Sequence, residues 1–134
     1  MGRVITLPWT MTDSRTDISC TVIAARLPLR SVRHLPAVLA WTRRVRQQLA
    51  TAPGLAGHGV ALELSGLALW TVSAWTTRTD LARFERSEPH QAAESSLRPR
   101  LWPATFAVWT CPTADLPLAW TEIRRRVELA PNNH

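Results

Sequence analysis

Apolar and polar positions along the chain predict a regular alternation of strands and helices. Residues 18–27 alternate as a strand with apolar side chains on both faces, and 35–49 carry apolar residues at helical spacing. Residues 60–64 and 67–76 are predicted as two strands of a hairpin, joined by the turn Ser65-Gly66. The first half of the chain is therefore predicted to run strand, helix, strand, strand.

A second helical region is predicted to follow this hairpin. Residues 77–80 fit a capping box, in which a hydroxyl and a carboxylate satisfy amides at a helix start, and the helix after them buries Leu81 and Phe84. Pro89 interrupts this helix, because proline lacks an amide hydrogen, and residues 90–97 form a second helical piece.

The remaining pattern completes a ferredoxin-like α+β domain at 18–134, preceded by an N-terminal arm at 1–17. Residues 104–110 are predicted as a strand, and residues 115–117 open a C-terminal helix. Its apolar face is formed by Leu116, Trp120, Ile123 and Val127. The order βαββαβ plus a helix predicts an antiparallel sheet with both main helices on one face. Gly57-His58-Gly59 is predicted as a flexible connection into the second strand.

Two further expectations follow from this topology. The second face of the sheet is apolar and needs cover, which predicts a homodimer whose two sheets close toward an α+β barrel. The first and last strands of the fold lie side by side and antiparallel, so Cys20 and Cys111 are predicted to be close without being bonded.

Composition narrows the class of protein. The 134 residues are 46% hydrophobic and 19% charged, which suits one folded domain. The net charge of +6 comes from 16 arginines with no lysine, and we attribute this to compositional bias and solvated helix faces, not to a nucleic-acid site. No apolar run has the length of a membrane span and no signal peptide is recognised, so a cytoplasmic protein is predicted. Phosphate-loop, HExxH and GxSxG motifs are absent from the sequence.

Three short segments carry a family resemblance. Ser73-Ala-Trp75, Asp80-Leu81-x-x-Phe84 and Ser87-Glu88-Pro89-His90 resemble the strand, helix and histidine signature of a small dimeric α+β barrel family of unknown function. That family is related to spheroidene-type and, more distantly, antibiotic-biosynthesis monooxygenases. The match is closest over residues 69–97. It implies a pocket between the sheet and the second helix.

The resemblance implies two catalytic residues, Trp75 and His90, with His90 as the metal ligand if haem b is bound. Substrate contacts are predicted for Phe84, Trp102, Trp109, His58 and Arg86. Each of these also has a plain structural interpretation, as packing or as solvated surface. A neutral imidazole can act as a general base or as a ligand to iron.

Two functions from different classes remain open on the sequence. One is a monooxygenase-like oxidoreductase of secondary metabolism, acting on a hydrophobic, aromatic or polyketide-like metabolite, either without a cofactor or with haem. The other is a non-catalytic barrel that binds a small ligand, or a redox-neutral, cyclase-like template. The fold does not decide between them.

Overall fold

A computed structural model of the chain describes residues 4–12 and 18–130. The strands within these ranges are β1 (Val4–Thr6), β2 (Thr10–Met11), β3 (Ser19–Pro28), β4 (Leu55–Glu63), β5 (Ala68–Trp75) and β6 (Thr105–Pro112). The helices are α1 (Leu35–Leu49), α2 (Arg78–Glu85), α3 (His90–Leu97) and α4 (Trp120–Leu129).

The strands form one antiparallel sheet in the order β1-β4-β5-β3-β6, with β2 also paired to β4. Its inner part, β4-β5-β3-β6, is the ferredoxin-like order predicted for the four main strands. The register places Cys20 opposite Cys111, and their sulfurs lie 3.8 Å apart as free thiols. The predicted proximity without a bond is confirmed.

The N-terminal residues belong to the sheet. Both β1 and β2 pair with β4, and the segment between them donates a hydrogen bond from the Leu7 amide to the Val60 carbonyl. Residues 4–12 of the predicted arm thus lengthen the edge of the sheet, whereas residues 1–3 and 13–17 lie outside the described residues.

The second main strand begins earlier than predicted, at Leu55 instead of residue 60. Gly57 and Gly59 are therefore inside β4 and do not form a flexible connection. A Cβ atom on Gly57 would lie 2.9 Å from the Met11 sulfur, and one on Gly59 would lie 3.2 Å from the Trp9 ring. These glycines are needed because N-terminal side chains pack directly on the strand.

One face of the sheet packs against α1, α2 and α3. Thr77 caps α2, accepting a hydrogen bond from the Asp80 amide, and α2 buries Leu81 and Phe84 as predicted. The chain breaks at Pro89 before α3, also as predicted.

The other face packs against α4, which buries Ile123 and Val127 completely. This helix begins at Trp120, so the prediction that it opens at residues 115–117 is wrong. Pro117 disfavours helical backbone in the residue before it, and residues 113–115 form only a 3₁₀ turn. Because α4 covers the apolar face within one chain, this face does not need a second chain to cover it. The homodimer was inferred from that need, and it stays a prediction.

Candidate functional site

A cavity of about 600 Å³ lies between α1 and the β4 edge of the sheet. Its floor is the β4 face that carries His58, Val60 and Leu62, and its walls come from α1 and from the N-terminal strands. The other lining residues are Ile5, Leu7, Thr10, Leu39, Thr42, Arg43, Arg46, Gln47, Ala50, Ala61 and Leu69. Its volume falls within the range of small-molecule sites.

Strand alternation explains this floor. Successive side chains point to opposite faces, so β4 presents His58 and Val60 to the cavity while Gly57 and Gly59 face α4. Within β1 and β2 the same alternation puts Ile5 and Thr10 on the cavity side and Met11 on the α4 side. The side changes in the irregular segment between the two strands, where Leu7 lines the cavity and Trp9 packs on the α4 face. Ile5 and Leu7 remain substantially exposed, which makes the rim of the cavity apolar.

Two side chains of this lining each have a buried nitrogen atom without a hydrogen-bond partner among the described residues. His58 is only 4% exposed, and its Nδ1 has no hydrogen-bond partner among the described residues. The Nε of Arg46 is also buried and unpaired within that part of the chain. Buried polar groups are nearly always hydrogen-bonded in folded proteins. The two unpaired atoms therefore mark the place where a polar ligand group would be stabilised.

The protonation state of His58 follows from its surroundings. Burial lowers the pKa of the imidazole below its ordinary value, and the positive charge of Arg46 lowers it further. The ring is therefore neutral at pH 7 and has a lone pair that can accept a proton. The guanidinium of Arg46 is a permanent cation that can stabilise an oxyanion.

Three residues of the family resemblance form an aromatic row beside this cavity. The rings of Trp75 and Phe84 lie 5.1 Å apart, and those of Phe84 and His90 are separated by the same distance. Trp75 is fully buried and donates from its Nε1 to the Ser73 hydroxyl at 2.8 Å. Ser73 is the cross-strand partner of His58, so the row ends next to the cavity floor.

The aromatic row does not line the 600 Å³ cavity. Phe84 lines a smaller one of about 180 Å³, together with residues of α2 and of the turn after α1, and neither cavity is lined by Trp75 or His90. His90 Nδ1 lies 3.2 Å from the Glu85 carbonyl oxygen. The backbone amide of His90 donates a hydrogen bond to the side-chain oxygen of Gln48. The catalytic roles of Trp75 and His90 stay predictions.

The surroundings of His90 do not fit haem. An iron ligand needs open space for a porphyrin beside its free nitrogen, but the His90 ring packs against Phe84 and faces neither cavity. In the described residues no group of three or more His, Cys, Asp or Glu side chains is placed to hold a metal ion.

The other predicted contact residues are distributed over the molecule. Trp109 lies on the α4 face under Arg126, and Trp102 is 51% exposed with Arg30 stacked on its ring at 4.2 Å. Arg86 is an exposed residue at the end of α2. Of the substrate contacts predicted from the sequence, the structure brings only His58 into the larger cavity.

Sequence reasoning missed Arg43 and Arg46 as site residues. It placed both on the solvated side of α1, because arginine on an amphipathic helix is usually exposed. One signal was available: their spacing of three residues puts both side chains on the same side of a helix as Leu39. Only the tertiary structure reveals that this side faces a cavity.

Comparison with known proteins supports the fold. No protein-family model and no curated protein matches the chain. Among solved structures, a point mutant of SnoaB, a cofactor-independent oxygenase from Streptomyces nogalater, has a TM-score of 0.59 at 14% identity over 71% of this chain and 94% of that one. An antibiotic biosynthesis monooxygenase has a TM-score of 0.61 at 11% identity over 66% and 95%. LmHde, a haem-degrading enzyme from Listeria monocytogenes, has 0.63 at 14% identity over 80% and 69%.

These structures confirm the predicted ferredoxin-like fold and the resemblance to antibiotic biosynthesis monooxygenases at the level of fold. Identities this low do not transfer a substrate or a reaction. The described residues also contain no helix long and apolar enough to cross a membrane.

Proposed function

We propose that this chain, which has the fold of the antibiotic biosynthesis monooxygenases, is a cofactor-free monooxygenase acting on a hydrophobic aromatic substrate with an acidic hydroxyl. The observation that carries the proposal is a pair of buried nitrogen atoms, His58 Nδ1 and Arg46 Nε, that have no hydrogen-bond partner among the described residues and belong to the lining of a largely apolar cavity. This pair offers a base and a fixed cation where the ring of a substrate would lie. A base and a cation together can ionise a substrate hydroxyl and stabilise the anion, and an electron-rich anion can itself donate electrons to dioxygen.

The first step is proton transfer from the substrate hydroxyl to the neutral imidazole of His58. Its lowered pKa keeps the imidazole unprotonated at neutral pH, and burial keeps bulk water from competing for the same proton. The resulting phenolate or enolate oxygen is stabilised by Arg46, whose charge is already in place before the reaction begins. The apolar residues Val60, Leu62 and Leu69 hold the ring next to this pair.

The electrons then come from the substrate and not from the protein. In this anion the ring carbon conjugated to the ionised oxygen bears one hydrogen and carries electron density, and it reacts with dioxygen to give a hydroperoxide. Loss of water from this hydroperoxide leaves a carbonyl, so one oxygen atom enters the product and the other leaves as water. The substrate carbon supplies all four electrons, and His58 returns its proton to the departing water.

Oxygen uptake tests the proposal directly. The probe is 1,8-dihydroxy-9-anthrone in chelator-treated buffer, with uptake measured above the uncatalysed rate. We expect one dioxygen per quinone formed and one labelled oxygen in the quinone when ¹⁸O₂ is used. Arg46→Gln should lower the catalysed rate by about 100-fold, as removal of a charge-stabilising group does in other enzymes. Arg44→Gln is the matched control, because Arg44 stacks on Trp41 and does not line the cavity.

Two outcomes would replace this function. Saturable binding of the anthrone without uptake above background would favour the non-catalytic, ligand-binding barrel. Titration with haemin tests the haem version separately. A Soret band that saturates at one haem per chain and disappears in His90→Ala would make this a haem protein, with function centred on the aromatic row.

A further inference from the structure

The charged residues lining the larger cavity are all cations. Arg43 and Arg46 lie on the cavity side of α1, and the lining includes no Asp or Glu. Neither arginine takes part in an ion pair within the described residues. A cavity lined in this way favours an anionic occupant, because two unpaired guanidiniums raise its positive potential.

The two cations differ in depth. Arg46 is half-buried and its Nε is sealed from solvent, whereas Arg43 is exposed on the same cavity lining. Residues three apart on a helix are offset by about 4.5 Å along its axis, so a ligand filling the cavity would meet the two side chains at different points. Arg46 would lie at its inner end and Arg43 at its solvent-facing end.

We propose that the substrate is a hydroxyaryl carboxylic acid, whose ionised hydroxyl binds Arg46 inside the cavity and whose carboxylate binds Arg43 at the mouth. The proposal rests on the proposed function for the deep contact and adds a second, outer contact. A carboxylate suits Arg43 because guanidinium pairs with it through two parallel hydrogen bonds. The apolar residues Leu39, Val60 and Leu62 line the same cavity and suit the aromatic ring.

The outer contact determines specificity without taking part in the chemistry. At an exposed mouth the carboxylate keeps part of its water shell, so the ion pair contributes modestly. We expect it to favour an acid over its neutral ester by about twofold to fivefold at low salt. The preference should decrease as salt is added, since exposed charges are screened.

Binding of a matched probe pair tests the outer contact. The probes are 6-hydroxy-2-naphthoic acid and its methyl ester, titrated calorimetrically into the whole chain. Wild type should bind the acid more tightly, Arg43→Gln should bind both equally with unchanged affinity for the ester, and Arg44→Gln should behave as wild type. Arg46→Gln should weaken both probes.

Three results would overturn the inference: equal binding of acid and ester by wild type, an acid preference that survives in Arg43→Gln, or no binding of either probe. The anthrone probe has no carboxylate, so its oxygen uptake does not require the outer ion pair, and Arg44→Gln, outside the cavity lining, is the variant that should leave this uptake unchanged. If oxygen uptake is absent but wild type still prefers the acid over the ester, the monooxygenase function is refuted, and the cavity remains a binding site for aromatic acids.

Discussion

The two faces of the sheet are built differently although they share the same strands. On the α4 face, Val22, Ile123 and Val127 are at most 1% exposed, and small residues of β4 allow Trp9 and Met11 to fill the remaining space. On the α1 face, by contrast, the same strand presents His58 to a cavity of about 600 Å³. One face is close-packed and the other leaves room for a ligand.

This difference separates stability from function. Close packing stabilises the α4 face, where fully buried apolar side chains fill the space between helix and sheet. Buried polar atoms without a partner occur on both faces within the described residues, but those of His58 and Arg46 belong to residues that line a cavity, where a ligand can pair with them. Changes on the α4 face should therefore affect unfolding, and changes on the α1 face should affect ligands.

The largest expected effect is on the closed face. Ile123→Ala should lower the free energy of unfolding by about 2–5 kcal/mol, since it leaves a cavity under a fully buried side chain. Leu129→Ala, at a position 71% exposed on the same helix, should change it by less than about 0.5 kcal/mol. Denaturant titration measures both. A fall in probe affinity in folded Ile123→Ala would mean that the two faces are coupled.

A change at the boundary between the faces should affect both properties. Gly59→Val places a side chain where the Trp9 ring packs, which should destabilise the protein by about 1–3 kcal/mol and loosen residues 4–12. The amides of Leu7 and Thr12, which bond to β4, should then exchange faster with solvent. Probe affinity should fall as well, because Ile5 and Leu7 wall the cavity.

Ser65→Val is the control, because it introduces the same valine side chain in an exposed turn, away from the Trp9 ring. Unchanged amide exchange at residues 4–12 in Gly59→Val would show that the packing of Trp9 does not hold the N-terminal segment.

A smaller effect is expected from pH. The folded pKa of His58 is lowered, so the folded state binds its proton less readily than the unfolded state. The stabilising contribution of the neutral ring is complete above the ordinary histidine pKa and is lost as pH falls through that value and then through the folded pKa. The free energy of unfolding of wild type and His58→Gln should be measured by denaturation at several pH values across this range. That of wild type should fall more than that of His58→Gln as the pH is lowered. Parallel curves would contradict the burial of a neutral imidazole.

The smallest effect concerns the two thiols of the closed face. Burial, followed by the neighbouring Cys20, raises the pKa of Cys111 to about 12, so little thiolate is present at neutral pH. Labelling with a thiol reagent should therefore follow the opening of the folded chain, and Ile123→Ala should accelerate it. Rapid labelling of the folded wild type would contradict this packing.

Much of the fold could be predicted because it follows from local pattern. Helix α1, the cap at Thr77 and the break at Pro89 are determined by nearby residues, and the pairing of Cys20 with Cys111 follows from the strand order. The early start of β4 could not be predicted in this way. Its glycines resemble a loop until Trp9 and Met11 are known to pack on them.

The candidate site was less predictable for a related reason. His58 was predicted as one of five substrate contacts and not as a catalytic residue. Its importance depends on a helix and an N-terminal segment that approach it from distant parts of the sequence. Helical spacing puts Arg46, but not Arg44, on the same side of α1 as Leu39, yet it does not show that this side faces a cavity. Burial of a charged side chain is a tertiary property that no helical pattern records.

Comparison of two histidine variants tests the choice of site most directly. The measurement is anthrone-dependent oxygen uptake, as kcat/KM, for wild type, His58→Gln and His90→Gln. Loss of a general base costs roughly 10²–10⁴-fold, so His58→Gln should fall by at least about 100-fold while His90→Gln stays near wild type. Full activity in His58→Gln with a comparable loss in His90→Gln would place the chemistry at the aromatic row and contradict the cavity as the active site.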